Sequence, residues 1–489
     1  MHPTSQSRFA TLPAELHGEI ASKADINTLS LLSRVSHSFY GYCNALLYHN
    51  VNNASVPTLA LQQEDRLPLT GPHPATFVKG VTILDRDGFY DEPWEDGEKE
   101  RLKEHIPAAM NNILKYAPKD GIRSFAFKAR YTSLPEMFTV DVPAWRSLES
   151  LIIKSFDWNA QAVMISENIL TSLCGPSLTR LELDVHASRL PIYNLLERLP
   201  MSCPNLQRFA GSFAGNASMQ DLPHLLGNPA FTFPSLVEFT VAGVDNLGPF
   251  LRRHPNLQVL RFMQSSANDA LDGSSILPNL VRFAGEASDF ISIFGHGTQP
   301  IEHLVVESDE SSVHDLLRYL RSTNSIRHLS VEPHSLNMYC SNFIFRWNTI
   351  QEIIISSPGL TTFLCSLDYD AGKTLNHLNT VYETILGNLP HLEHLKLWIE
   401  NMDAKAKESL HAKHKKAIQS ALMIHNHRAL KSVELKIYEY VHAGNTDWLE
   451  DIYGFCFVME DDVVVSVPKL NKVESRVMIN FHFDDMNEL

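Results

Sequence analysis

Four histidines, His411, His414, His425 and His427, are of the type that ligates zinc, and the first two stand three apart, about one helical turn. They lie in a Lys-rich stretch with no nearby cysteine and no carboxylate in a ligand pattern, so they read as a solvated helix face. No metal and no other cofactor is expected. Asp368-Tyr369-Asp370 sets two carboxylates one residue apart, a pairing suited to sugar-nucleotide chemistry, but a loop following a strand explains it more simply. Gly295-His296-Gly297 is a turn, because the third glycine and the flanking strand and helix of a dinucleotide fingerprint are missing. There is no Gly-x-Ser-x-Gly elbow, no Walker loop and no His-Glu-x-x-His. The six cysteines form no Cys-x-x-Cys pair and read as reduced, mostly buried thiols. The chain is therefore expected to perform no covalent step. A hydrolase or transferase with a site dispersed along the sequence stays open as a third reading, to be recognised by convergent titratable groups in a deep pocket.

A second set of polar residues recurs with the backbone itself. The phrase Pro-x-Leu-x-x-(Leu/Phe)-x-(Leu/Val) begins at Pro204, Pro234, Pro255, Pro278 and Pro390, and looser copies begin at Ile122, Leu148, Leu178, Ile301, Ile326, Leu360 and Leu430. Its second half alternates, as a short strand with one buried face must, and stretches such as 313–320 between copies carry helical spacing. Copies are about 21 to 38 residues apart, which overlaps and in places exceeds the leucine-rich-repeat period. A strand–helix unit cannot bury its own apolar face, so neighbours must stack, with strands parallel on an inner wall and helices outside. The expected body is an irregular horseshoe without a regular Asn ladder. A doubly wound α/β enzyme would need an early phosphate-binding glycine loop, which is absent.

In that arrangement the residues between the buried positions line the concave wall. Arg180, Arg208, Arg261, Arg282, His303, His328 and Trp398 are the candidate target-binding residues, together with Glu182, Asp184, Glu238 and Lys396. Glu286, Glu307 and Glu332 form one acidic column. Charge on a rigid concave scaffold suits a protein partner, and Trp398 is a candidate anchor.

Composition narrows the partners. The 489 residues carry a net charge of −15 and are 44% hydrophobic and 20% charged. Excess negative charge opposes a general phosphate-backbone binder, so no nucleic acid is expected. No apolar run approaches the ~20 residues that span a bilayer, and residues 1–8 lack a signal peptide's apolar segment. The expectation is a protein of the cytoplasm, the nucleus or both, with no membrane partner.

The N-terminal segment has an organisation of its own. Thr11 can cap a helix whose first turn tolerates Pro13, and Leu12, Leu16 and Ile20 recur four apart on one face. Asp25 can cap a second helix carrying Leu29, Leu32, Val35 and Phe39, and Tyr42, Leu46 and Leu47 complete a third. About 40 residues is near the lower limit for an independent core, so some apolar surface is left for something else to cover.

The segment resembles an F-box, on Leu12, Pro13, Glu15, Leu16, Ile20, Asp25, Leu29, Leu32, Val35, Ser36 and Phe39. Ala21 and Ala24 stand where that family usually has larger apolar residues, and Ile26 replaces a frequent proline. The fold read from the sequence is α/β: a three-helix F-box, then an irregular leucine-rich-repeat horseshoe with a parallel inner sheet and outer helices. Its expected parts are a docking module at 1–55, a connecting segment with an acidic loop and the first repeat at 56–120, a solenoid at 121–440 and a capping segment at 441–489. The resemblance implies substrate recognition in a Skp–cullin–F-box ubiquitin ligase. Leu12, Pro13, Leu16, Ile20, Leu32 and Val35 would dock on a Skp-type adaptor and through it a cullin, while the solenoid would hold an unknown protein target. The alternative is an interaction scaffold outside ubiquitination, its first helices serving only as a cap.

Overall fold

The computed structural model describes residues 12–35, 37–53, 55–61, 72–84, 98–129, 145–155, 167–185, 192–212, 222–242, 247–263, 276–294, 300–308, 312–333, 347–367, 378–400, 407–443, 446–460 and 463–467. The chain forms two compact units, the first ending at Leu236 and the second starting at Val237.

The first unit opens with three helices, α1 (Ala14–Lys23), α2 (Ile26–Val35) and α3 (His37–Leu47). Pro13 flanks α1, and its carbonyl accepts from the Leu16 N–H at 3.0 Å. The expected Thr11 cap lies outside the described residues. Asp25 does cap α2: its Oδ1 accepts from the Thr28 N–H at 2.8 Å. Ala21, Leu29, Phe39 and Cys43 form a small core between the helices, with Ala24, Leu32 and Leu47 packed against it. Strand β1 (Asn50–Val51) comes next, then α4 (Val56–Leu61), β2 (Gly80–Leu84), α5 (Glu98–Tyr116), β3 (Ser124–Ala129), β4 (Ser150–Ser155), α6 (Glu167–Leu173), β5 (Arg180–Val185), α7 (Ile192–Ser202), β6 (Arg208–Ser212) and α8 (Leu222–Gly227). Strands β1 to β6 pair in chain order, all parallel. A Cβ at Gly80 would stand 2.5 Å from Ser124 Oγ and 2.6 Å from Asn50 Oδ1, so a larger residue there would have to turn both side chains aside.

The second unit continues the pattern with β7 (Glu238–Ala242), α9 (Gly248–Arg252), β8 (Val259–Met263), β9 (Arg282–Glu286), α10 (Ala287–Phe294), β10 (His303–Ser308), α11 (Val313–Ser322) and β11 (His328–Pro333). It goes on through α12 (Trp347–Ser356), β12 (Thr362–Leu367), α13 (Leu378–Asn388), β13 (His394–Glu400), α14 (Lys407–His425) and β14 (Ser432–Ala443). Strands β7 to β14 are parallel and in order. Then β15 (Thr446–Glu460) and β16 (Val463–Val467) add antiparallel pairs, so the parallel stack ends in a meander. Both strands lie in the segment expected to cap the chain, 441–489, whose residues from 468 onward fall outside the described ones.

Every copy of the repeat phrase leads into one of β3 to β14. The reason is local. In the proline-bearing copies the proline is second in a turn closed by the leucine N–H, as in Leu206 to Cys203 O, Leu257 to His254 O and Leu392 to Leu389 O. The residue before most of these strands then offers its carbonyl to two consecutive N–H groups of the next repeat: Gln258 O accepts from Val281 and Arg282, and Val281 O from Glu302 and His303. A partial asparagine ladder exists after all, since Asn205 Nδ2 donates to Pro176 O at 2.9 Å and Asn279 Nδ2 to Pro255 O at 3.3 Å. Alternate strand residues such as Leu260, Phe283, Leu304, Leu329, Phe363 and Leu395 are buried in register, each contributing about 1.5–3 kcal/mol against the helices. Each unit is thus a leucine-rich-repeat-like α/β stack.

Candidate functional site

Two surfaces come out of this architecture, one on the helical head and one on the strands of the second unit. In the head, α1 turns His17 and Ala21 inward, where the His17 ring meets Phe39 edge-on at 4.6 Å. The stripe on the other side faces out: Leu16 is 40% and Ile20 38% exposed, Pro13 is exposed and Leu12 half-buried. Leu32 is half-buried against the head core, and the Val35 side chain lies outside what is described. Four further apolar residues are exposed: Leu31, which the sequence reading passed over, and Ile26, Tyr42 and Leu46, which it named without placing them outside. The Tyr42 ring packs over Gly18, beside the outward stripe of α1. Its type and spacing suited a core equally well, and only the packing direction of the helices separates the two.

On the strands of the second unit, register sets residues from successive repeats side by side. Along β10 exposure alternates strictly, with His303, Val305 and Glu307 outward and Leu304, Val306 and Ser308 buried. Arg282, His303, His328 and Thr362 occupy one outward row, and His394 follows Thr362 in it. Ala284, Val305, Ser330 and Leu364 form the next, and Glu286 and Glu307 the third, with Glu332 in backbone register beside Glu307. The first two rows line an open pocket with an apolar floor. That floor is held from below by Phe283, whose ring meets Phe262, Phe290 and Phe294 at 5.0–5.8 Å.

The His303 and His328 rings stack at 4.0 Å and 4°. Burial, then His328, then Arg282 depress the His303 pKa to about 4; His328 is lowered as well, by burial first. Both rings are therefore uncharged at neutral pH. The Nδ1 of His328 is buried without a hydrogen-bond partner. Arg282 is exposed, and among the described residues no carboxylate pairs with it.

The other sequence candidates are placed differently. Arg261 is only 8% exposed, with its guanidinium 3.6 Å from Glu238. Trp398 is half-buried, in register with Ser366 and Lys436. Arg180 and Arg208 are register partners in the first unit, and Arg180 is tied to Glu182, which also draws Lys154 at 3.4 Å. Lys396 lies 3.7 Å from Glu434. Asp184 is on β5 next to Lys154 in register.

The histidine-rich helix is not wholly a solvated face. His414 is buried, with its Nδ1 2.8 Å from the Tyr382 hydroxyl, and His411 stacks on Phe457 at 5.1 Å. His427 Nε2 lies 2.8 Å from Leu389 O. These rings serve packing, and among the described residues no group of three or more His, Cys, Asp or Glu could hold a metal ion. Asp368-Tyr369-Asp370 and Gly295-His296-Gly297 fall outside the described residues, as does most of the acidic loop at 85–104. No described helix is long and apolar enough to cross a membrane.

No family model matches the chain, and no curated protein matches it. Among solved structures, the leucine-rich repeat-containing protein LegL7 from Legionella pneumophila aligns with 64% of this chain and 91% of its own, at 13% identity and a TM-score of 0.32. A likeness that loose carries no argument. The repeat assignment rests on strand order and register.

Proposed function

We propose that the chain is a non-enzymatic substrate-recognition adaptor of a Skp–cullin–F-box ubiquitin ligase. Its helical head docks on a Skp-type adaptor, and its strand faces hold the protein to be modified. The observation that supports this most is the unbalanced apolar surface of the head. Of ten exposed large apolar residues among the described ones, Leu16, Ile20, Ile26, Leu31, Tyr42 and Leu46 belong to α1–α3. Apolar side chains concentrated in so short a segment mark a surface that another protein covers. The outward stripe of α1 coincides with Leu12, Pro13, Leu16 and Ile20, the positions that the F-box resemblance assigns to docking. The contribution of such an adaptor is proximity: it raises the local concentration of target lysines near the conjugating enzyme.

The test is co-elution of the full chain with a purified Skp-type adaptor. The Leu16→Asp, Ile20→Asp double variant should weaken that complex more than tenfold, by about the weight of one or two interface hot spots. Amide-exchange protection of α2 and α3 should persist in the variant, which separates lost docking from an unfolded head, since Leu16 and Ile20 are 40% and 38% exposed and not part of its core cluster. Absence of a complex with the wild-type chain, or an unchanged affinity in the variant, overturns the assignment.

One observation favours the second reading, a scaffold whose head is only a cap. The head is tied to the chain that leaves it: His49 O accepts from the Lys79 and Gly80 N–H groups, and the Tyr40 hydroxyl donates to Pro72 O at 3.2 Å. Capping and docking use different faces, and only docking depends on Leu16 and Ile20.

A further inference from the structure

We propose that the strand face of the second unit binds an extended protein segment bearing an acidic and a basic side chain four residues apart, with an apolar side chain midway. This rests on reading that face as a protein-recognition surface; it does not depend on what the head binds.

Geometry and charge complementarity carry it. The three outward rows are two residues apart along the strands, about 7 Å per step. An extended segment laid along the strands presents its own same-side residues at the same interval. Its acidic side chain then meets Arg282 and the His303–His328 stack. Two residues on, its apolar side chain falls on the floor of Ala284, Val305, Ser330 and Leu364. The floor is low there because Ala284 and Ser330 are small, and their neighbours Val305 and Leu364 supply apolar walls. Four residues on, its basic side chain reaches Glu286 and Glu307, which are adjacent in register on β9 and β10.

Each row selects its part. Arg282 is exposed with no carboxylate beside it among the described residues, so it is open to a carboxylate from outside. The imidazoles beside it, stacked at 4.0 Å, are uncharged, so they neither repel Arg282 nor compete with it for a carboxylate. The glutamate row repels a second acid and any polyphosphate backbone, which argues against nucleic acid on the same face.

Fluorescence anisotropy on the full chain tests this with a labelled synthetic peptide, Glu-Thr-Val-Ser-Lys between Gly-Ser flanks. Three controls replace both charged ends by glutamate, both by lysine, or the valine by glycine. The first peptide should bind at least about tenfold more tightly than any control. Arg282→Glu and Glu307→Lys should each weaken it by about tenfold while leaving the unfolding midpoint in place, and Arg123→Glu in the first unit should leave binding unchanged. No saturable binding, equal binding of a like-charged peptide, or indifference to both second-unit variants overturns the proposal. So does self-association of the chain that those variants abolish, since a second copy would then occupy the face. A chain that captures the Skp-type adaptor but ignores these peptides fails here alone, and the converse result fails only the docking assignment.

Discussion

The three-helix head and the repeats of the second unit handle apolar surface in opposite ways. The head gathers Ala21, Leu29, Phe39 and Cys43 into its core and leaves six large apolar side chains exposed. From Val237 onward only Ile355, Met423 and Ile424 are so exposed among the described residues. A repeat is covered by the next repeat, which presents the same face in the same register, so its apolar surface is matched inside the chain. Three short helices have more faces than neighbours, and what they cannot cover stays outside. Apolar residues on a stacked element therefore report stability, whereas those on the head report an unmet contact.

Truncating one phenylalanine in each core puts that difference under the largest strain. Phe39→Ala and Phe283→Ala each remove a side chain at most 1% exposed, a loss of about 3–5 kcal/mol. Among the described residues the hydrophobic cluster of the head has four buried members, and a core that small does not hold that much in reserve. Phe39→Ala should abolish amide-exchange protection across α1–α3 while β3 to β5 stay protected. Phe283→Ala should lower the unfolding midpoint of the second unit with its strand protection still in place, because neighbouring repeats share the loss. Retained protection in the head of Phe39→Ala would erase the distinction between the two cores.

How much of this was readable in advance divides along the same line. The phrase that leads into β3 to β14 is local, a proline-turn followed by alternation, so sequence places each of those strands. Strands β1 and β2 lack the phrase and are placed by pairing across the sheet, β1 with β2 and β2 with β3, a long-range fact. Helix α14 is legible as a helix, but its histidine pair reads as part of a solvated face. Its buried His414, Ala417, Ile418 and Ala421 have the right spacing, diluted by lysines between them. In the head, Leu12, Leu16 and Ile20 form a stripe that looks like core, and sequence alone does not say which way it points. On the strand face the sequence named Arg261 and Arg282 alike. Only the fold separates the ion-paired, buried one from the exposed one.

Acid should sharpen the contrast between regions by a smaller amount. His254 and His414 are 2% and 1% exposed, and burial holds their pKa values at about 4 and about 3. The unfolded chain takes up these protons near pH 6.5 and the folded one only far lower, so between those values the unfolded state binds more protons and stability falls with pH. Each ring costs up to about 1.4 kcal/mol per pH unit below 6.5. The unfolding midpoint of the second unit should drop between pH 6.5 and 4.5, and His414→Gln should flatten part of that slope. A slope unchanged in His414→Gln would mean that the ring is not kept neutral by its burial against Tyr382.

The smallest expected effect concerns how the head holds its shape at all. Asp25 caps α2 through the Thr28 N–H, and that backbone hydrogen bond, with the Thr28 hydroxyl next, keeps its carboxyl below the usual range. A group with a lowered folded pKa stabilises above its unfolded value and loses that contribution as pH falls through the folded one. Asp25→Asn keeps the accepting oxygen and should leave α2 intact, whereas Asp25→Ala should speed amide exchange in its first turn. If Asp25→Ala leaves the exchange of α2 unchanged, packing against α1 and α3 through Leu29 and Leu32, and not the cap, holds that helix in place.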